Sequence, residues 1–210
     1  MTTHHPSETT LWAHVTGSLP PAHRQVIAIH VALCPHCAAE LRHLEEIGGA
    51  LLEDLTPAPL AAGSFTRLLA RLDEPVPPPR PAMASPPASP AGFLSALATG
   101  RWRWTGPGIA MMPLMPRDDS NTRLDLIRVA PNTGLLEHGH GGFESTVVLQ
   151  GTFDDGSGQY GPGDFGEAGR GFDHRPAALP GPECICLIAT TAHLKPHGLL
   201  GRLVRPLIGM

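Results

Sequence analysis

Charge is what this chain has least of. Only 16% of its residues are Asp, Glu, Lys or Arg, against about 25% in an average soluble domain. Lysine and arginine number 15 against 19 acidic residues, the formal charge is −4, and no basic run occurs. A protein that grips a phosphate backbone must neutralise it with a basic stripe. A DNA-binding repressor is therefore disfavoured. No stretch approaches the roughly 20 apolar residues of a membrane span. The opening Met1-Thr-Thr-His-His-Pro lacks the basic and apolar regions of a signal peptide, so the expected location is cytoplasmic. Cysteine is scarce as well, at four in 210 residues. That is too few for a disulfide scaffold, and the spacings C-x2-C and C-x-C belong to metal or redox chemistry in a reducing compartment.

Glycine and proline are plentiful, with 24 of each, which favours turns and short strands in at least part of the chain. Histidine is clustered. Seven of the twelve fall in the first 43 residues, the other five lie from 138 onward, and none stands between. Two separate ligand sets are the natural reading of such a distribution.

The first part reads as helical. Leu11, Trp12, Val15 and Leu19 recur at helical spacing, and Val26, Ile27, Ile29, Val31 and Leu33 are dense enough for a buried helix. Pro35 suits the first turn of a longer helix, where a missing N–H costs nothing. That helix is expected to bury Leu41, Leu44, Ile47, Leu51 and Leu52, with Gly48-Gly49 weakening its middle. Ser64 is the expected cap of a last short helix carrying Phe65, Leu68, Leu69 and Leu72. Residues 75–90 then hold eight prolines in sixteen positions, a composition that cannot supply the N–H donors of a helix or sheet and marks a linker.

Beyond residue 100 the pattern changes to short β-rich runs: Thr122–Val129, Ser145–Gly151 and Cys184–Thr191. Between the last two lie turn signals at Asp155-Gly, Gly161-Pro-Gly-Asp and Gly169-Arg-Gly. Short strands with frequent turns predict an all-β sandwich or barrel. The expected division is a helical domain over 1–74, a linker over 75–92, a barrel over 93–200 and an apolar tail over 201–210 that packs on the barrel or a neighbour.

Each half carries a ligand pattern. His30-x3-Cys34-x2-Cys37 puts an imidazole and a thiol four apart on one helix face, with the second thiol just past a turn. One imidazole and two thiolates suit tetrahedral zinc, and a closed structural site needs a fourth ligand. His4 or His5, reaching from the N-terminal arm, is the candidate, while His36 is expected to point away. In the second half, His138-x-His140-x3-Glu144 places two histidines on one strand face with a carboxylate returning to the same point. This resembles the first motif of the cupin superfamily, small β-barrels that hold a metal in the barrel mouth. Gly163-x5-Gly169-x-Gly171-x2-His174 is similar to the second motif, with Gly169 where proline is usual and Ala178 where asparagine often stands. Three histidines and a carboxylate suit zinc, iron, manganese or nickel alike. Cys184 and Cys186 alternate on a predicted strand and share a face, either as small core residues or as reactive thiols.

The helical H-x3-C-x2-C set, the proline linker and the cupin set together resemble ChrR-type anti-sigma factors over nearly the whole chain. The resemblance implies a small all-α zinc-stapled helical bundle followed by an all-β cupin barrel. It implies one zinc held by His5, His30, Cys34 and Cys37, and a second at the cupin set. The implied partner is an extracytoplasmic-function sigma factor, sequestered by the helical module and released under singlet-oxygen or organic-hydroperoxide stress. It also places a C-x-C pair at Cys184 and Cys186, candidates for redox sensing. The competing expectation is a metal-dependent cupin enzyme, a dioxygenase or isomerase, with a zinc-binding appendage. Few aromatic and basic residues are available to recognise a substrate, which favours the regulator.

Overall fold

The computed structural model describes residues 2–72, 74, 87–192 and 194–196. Most of the proline-rich linker, the tail over 201–210, and His193 and His197 lie outside the described residues.

Five helices come first: α1 (Glu8–Val15), α2 (Pro21–Leu33), α3 (Pro35–Glu53), α4 (Ser64–Arg71) and α5 (Pro90–Leu97). Their starts follow local chemistry. Ser7 caps α1 by accepting from the Thr10 N–H, α2 and α3 both open on proline, and Ser89 caps α5 through the Gly92 N–H. α5 begins at Pro90, inside the stretch expected to be linker. Ser64 does not cap α4. Gly63, at φ +76°, takes that position, and the Ser64 hydroxyl donates backward to the Ala61 carbonyl.

The barrel follows. Its main sheet has six antiparallel strands in the order β1 (Arg103–Gly106), β2 (Ile109–Met115), β3 (Arg123–Val129), β11 (Cys184–Thr190), β5 (Glu144–Gln150) and β8 (Phe165–Ala168). A three-stranded sheet joins β10 (Ala177–Ala178), β6 (Phe153–Asp154) and β7 (Gln159–Tyr160). Another joins β12 (Leu194–Pro196), β4 (His138–His140) and β9 (Asp173–His174). N-terminal helices and a C-terminal cupin barrel are thus the architecture, as the motifs implied.

Strand alternation explains how the halves meet. In β5, Ser145, Val147 and Leu149 point one way and Glu144, Thr146 and Val148 the other; in β11, Leu187 and Ala189 oppose Cys184 and Cys186. The first set joins Val26, Ile27 and Phe93 of the helices in one buried cluster, and the second lines the barrel interior with Val129, Ala178 and Phe153. Both faces of the sheet are therefore buried, which is why β5 and β11 read as nearly continuous apolar runs. The helical segment lies on the barrel as a covering layer.

The far end of the helical segment differs. α3 buries Cys37 and Leu44, while Leu51 and Leu52, expected in its core, are 63% and 69% exposed. α4 buries nothing at all. Among the described residues, no helix is long and apolar enough to cross a membrane.

Candidate metal centres

The first centre is assembled from three segments. α2 ends at Leu33, with Cys34 in extended backbone (φ −116°, ψ 103°), and α3 starts at Pro35. This corner brings His30 from the last turn of α2 against Cys37 in the first turn of α3. The N-terminal arm supplies His5. One ligand atom from each of His5, His30, Cys34 and Cys37 lies within 4.8 Å of the others. His30 Nε2 is 3.3 Å from Cys37 Sγ, and His5 Nδ1 is 3.4 Å from both sulfurs. Tetrahedral zinc with ordinary bond lengths separates its nitrogen and sulfur ligands by about 3.6 Å. The four residues fit such an ion. His4 turns away toward Asp164 and Tyr160, and exposed His36 meets the His5 ring edge to face without joining the set.

The electrostatics suit a cation. Burial pushes Cys34 up, but the Cys37 N–H and the Thr2 hydroxyl more than offset it and hold its thiol below the usual range. Cys37 is pushed up to about 12 by burial and by the neighbouring Cys34. Burial pulls His30 down to about 4 and lowers His5 as well, so both imidazoles are neutral and able to ligate at pH 7. Cys34 is thus the more acidic of the two thiols, and binding of a cation favours loss of the proton from both.

The second centre sits inside the barrel. β4 pairs with β9, setting His138 directly opposite His174, and alternation places His140 on the same side as His138. The three Nε2 atoms converge, at 2.9 Å between His140 and His174 and 3.2 Å between His174 and His138. Each ring is backed at Nδ1. The Leu136 carbonyl accepts from His138 at 2.8 Å, Glu144 Oε2 lies 3.5 Å from His140, and Asp155 Oδ2 lies 3.6 Å from His174. Of the three, the His138 bond is short enough to fix a tautomer, the one that leaves its Nε2 free for a metal. Burial, then the neighbouring rings, pulls His140 down to about 4; burial also lowers His174.

Glu144 was expected at the same point as the histidines. Its carboxylate instead meets the far side of the His140 ring and stands outside the convergent set. It is buried, Oε2 has no hydrogen-bond partner, and burial pushes its pKa up to about 8. An orphaned buried carboxylate oxygen of this kind is what a bound cation would compensate. Asp155 was not anticipated. Its Asp-Gly sequence reads locally as a turn, and only the fold turns that loop toward His174.

Glu144, His138 and His174 border a cavity of about 110 Å3, walled by Ile127, Val129, Ile188 and both C-x-C cysteines. Cys184 and Cys186 do share a face, with sulfurs 3.7 Å apart, buried and not joined in a disulfide. The neighbouring Cys184 and burial hold Cys186 well above an ordinary thiol.

Known proteins similar to this chain share its architecture. Residues 91–194 match the model of the ChrR cupin-like domain family. The chain is 36% identical over 207 residues to the anti-sigma-E factor ChrR of Cereibacter sphaeroides, covering 97% of this chain and 96% of that protein. It also superimposes on a chain from the crystal structure of Rhodobacter sphaeroides SigE in complex with the anti-sigma ChrR, with a TM-score of 0.75 and 34% identity. The match covers 90% of this chain and 99% of that one.

Proposed function

The chain belongs to the ChrR family of anti-sigma factors, and from that premise we propose that it sequesters an extracytoplasmic-function sigma factor through its N-terminal helices. It is a regulator rather than an enzyme, in keeping with that family. One observation carries the sigma-binding reading. From the end of α3 through α4, Leu51, Leu55, Leu60, Phe65, Leu68 and Leu72 are between 59% and 83% exposed. Arg67 and Arg71 lie on the same short helix. A run of large apolar side chains with nothing covering it is an interaction surface, and an amphipathic helix presented this way suits a helix-in-groove partner.

In this reading zinc at His5, His30, Cys34 and Cys37 staples the corner from which α3 and then α4 project. Two thiolates neutralise the ion and four ligands close its shell, the arrangement of a structural site. A second zinc would be held by His138, His140 and His174, with Glu144 joining as a fourth ligand only by swinging from behind the His140 ring. There it would supply Lewis-acid polarisation beside the cavity. We assign the helical part to residues 1–74, the linker to 75–92 and the barrel to 93–200, all in the cytoplasm and without direct contact to nucleic acid or membrane. Oxidation or metal loss in the barrel, under singlet oxygen or organic hydroperoxide, loosens the grip on sigma. The cavity-lining thiols Cys184 and Cys186 are the candidate redox partners.

The test is direct. The tagged chain, purified with zinc, should co-purify with one group of sigma factors and inhibit transcription that depends on it. Exposure to singlet oxygen should restore that transcription. A fragment of residues 1–85 should inhibit but fail to respond. Response by that fragment would remove the barrel from the sensing role, and absence of any sigma factor from the purified chain would overturn the proposal.

A further inference from the structure

The first centre draws all four candidate ligands from the helical half, yet the groups that aim two of them belong to the barrel. The turn Gly161–Asp164, between β7 and β8, lies against it. His30, which is fully buried, donates from Nδ1 to the Gly163 carbonyl at 2.8 Å. That bond leaves the Nε2 lone pair facing Cys37 Sγ. One residue on, the nearly buried Asp164 carboxylate accepts from the Thr3 N–H at 2.6 Å, the His4 N–H at 3.1 Å and the Thr3 hydroxyl. It also accepts from the Gly161 N–H at 2.8 Å, which braces the turn. The Phe165 N–H donates to the His4 carbonyl, so the arm is pinned on both sides immediately before His5.

Two further features show that the contact is built. Gly163 has φ +94°, and a Cβ there would stand 2.9 Å from the Thr2 side chain, so only glycine lets the arm approach. The turn is also fastened to β5. Gly163 N–H donates to the Val148 carbonyl, and Val148 N–H donates to the Asp164 carbonyl. β5 opens at Glu144, beside the second centre.

We propose that the Gly161–Asp164 turn of the barrel is the outer frame of the helical metal centre, with Asp164 as the positioning residue that holds the arm so that His5 completes the ligand set. This rests on the reading that the four residues bind a metal, and it adds to that reading a route of regulation. A change in the barrel that shifts β5 or the turn weakens a metal whose ligands the barrel does not supply.

Cobalt(II) substitution of the full chain is the experiment, because thiolate-to-cobalt absorption reports the first centre and is assigned by its loss in Cys37→Ser. Asp164→Ala should weaken cobalt and zinc at that centre by roughly 10- to 100-fold in chelator competition, the range for groups that orient ligands. Its thiolate band should change in a way that reports loss of one nitrogen ligand. Asp164→Asn, which keeps an acceptor for the Thr3 and His4 amides, should recover most of the affinity, and it serves if Asp164→Ala does not fold. In a His5→Ala background the same change should have no further effect, since Asp164 acts through His5. Glu167→Ala removes a different barrel link, the one to Ser7 and Thr10 at the start of α1, and should leave the band as in the parent. Parent-like affinity in Asp164→Ala, an equal loss in Glu167→Ala, or a full Asp164 effect without His5 would each overturn the proposal. A parent with no thiolate band would instead overturn the metal reading on which it stands.

Discussion

The two metal centres are built by opposite means. The helical one gathers His5, His30, Cys34 and Cys37 from an arm, the end of one helix and the start of the next. The barrel one takes His138, His140 and His174 from two short strands that pair with each other. The first set carries two thiols that become thiolates on binding a cation, and its fourth ligand is already in place. The second offers three imidazoles beside a cavity, with a carboxyl whose pKa burial pushes up. Charge balance thus separates the two donor sets, and it is the basis for proposing a staple in one and a sensor in the other. The lesson is that ligand type separates the roles more sharply than ligand count.

The contrast is best broken at the staple. Cys37→Ser, or removal of metal by a strong chelator, should unfold the α2–α3 corner and abolish sigma binding. Zinc in such small modules contributes on the order of 10 kcal/mol of apparent binding free energy. Helical circular dichroism and a binding assay would show both losses. Retention of full helicity without metal would mean that packing against the barrel holds the corner unaided.

A smaller effect is expected at the exposed face. Phe65→Asp with Leu68→Asp should weaken sigma binding by roughly 2–4 kcal/mol, the range for residues at the heart of an interface. The melting temperature should not fall, because both side chains are already exposed in the free protein. Isothermal titration and thermal melts would separate the two.

Next comes the seam between helices and barrel. His23 is fully buried, donates or accepts at Ser145 Oγ over 2.8 Å, and is pulled by burial down to about 4. The folded state therefore prefers the neutral ring. Its contribution is fully present above pH 6.5 and is lost as pH falls toward 4. A shift of that size corresponds to roughly 3 kcal/mol. Melting temperature measured from pH 7 to pH 4 should fall less steeply in His23→Asn than in the parent, and parallel curves would exclude His23 as the cause.

The smallest effect on sigma binding is expected from the barrel centre. His174→Ala should abolish metal there, as read by metal analysis, while leaving sigma affinity in reduced, unstressed protein close to the parent's. Its consequence should appear only on oxidation, as failure to release sigma. Loss of sigma binding without stress would make both centres staples and erase the contrast.

Much of this was legible in the residue order. The imidazoles and thiols that converge were identifiable because each set is local in sequence apart from one distant member. His30, Cys34 and Cys37 sit on one corner, and His138 and His140 on one strand. Of the distant members, His174 was recoverable only through resemblance to a family, and His5 was legible as one of two arm candidates, His4 or His5, until that resemblance chose between them. Leu51 and Leu52 were misplaced because helical periodicity reports an apolar stripe without saying what covers it. Ser64 satisfied the capping preference, but the left-handed Gly63 took that place in the chain.

By itself the sequence determined the chemistry available at each centre: soft thiolates with imidazole in one half, imidazole with carboxylate in the other, and a proline-rich stretch between them. Those follow from side-chain identity and short spacing, which need no fold to be read. Only the tertiary structure decided that Glu144 stands behind His140, that Asp155 backs His174, that α4 is left uncovered, and that Asp164 of the barrel holds the arm of the helical centre. Each of these depends on which surfaces meet across long separations in the chain, and packing, rather than local preference, sets that.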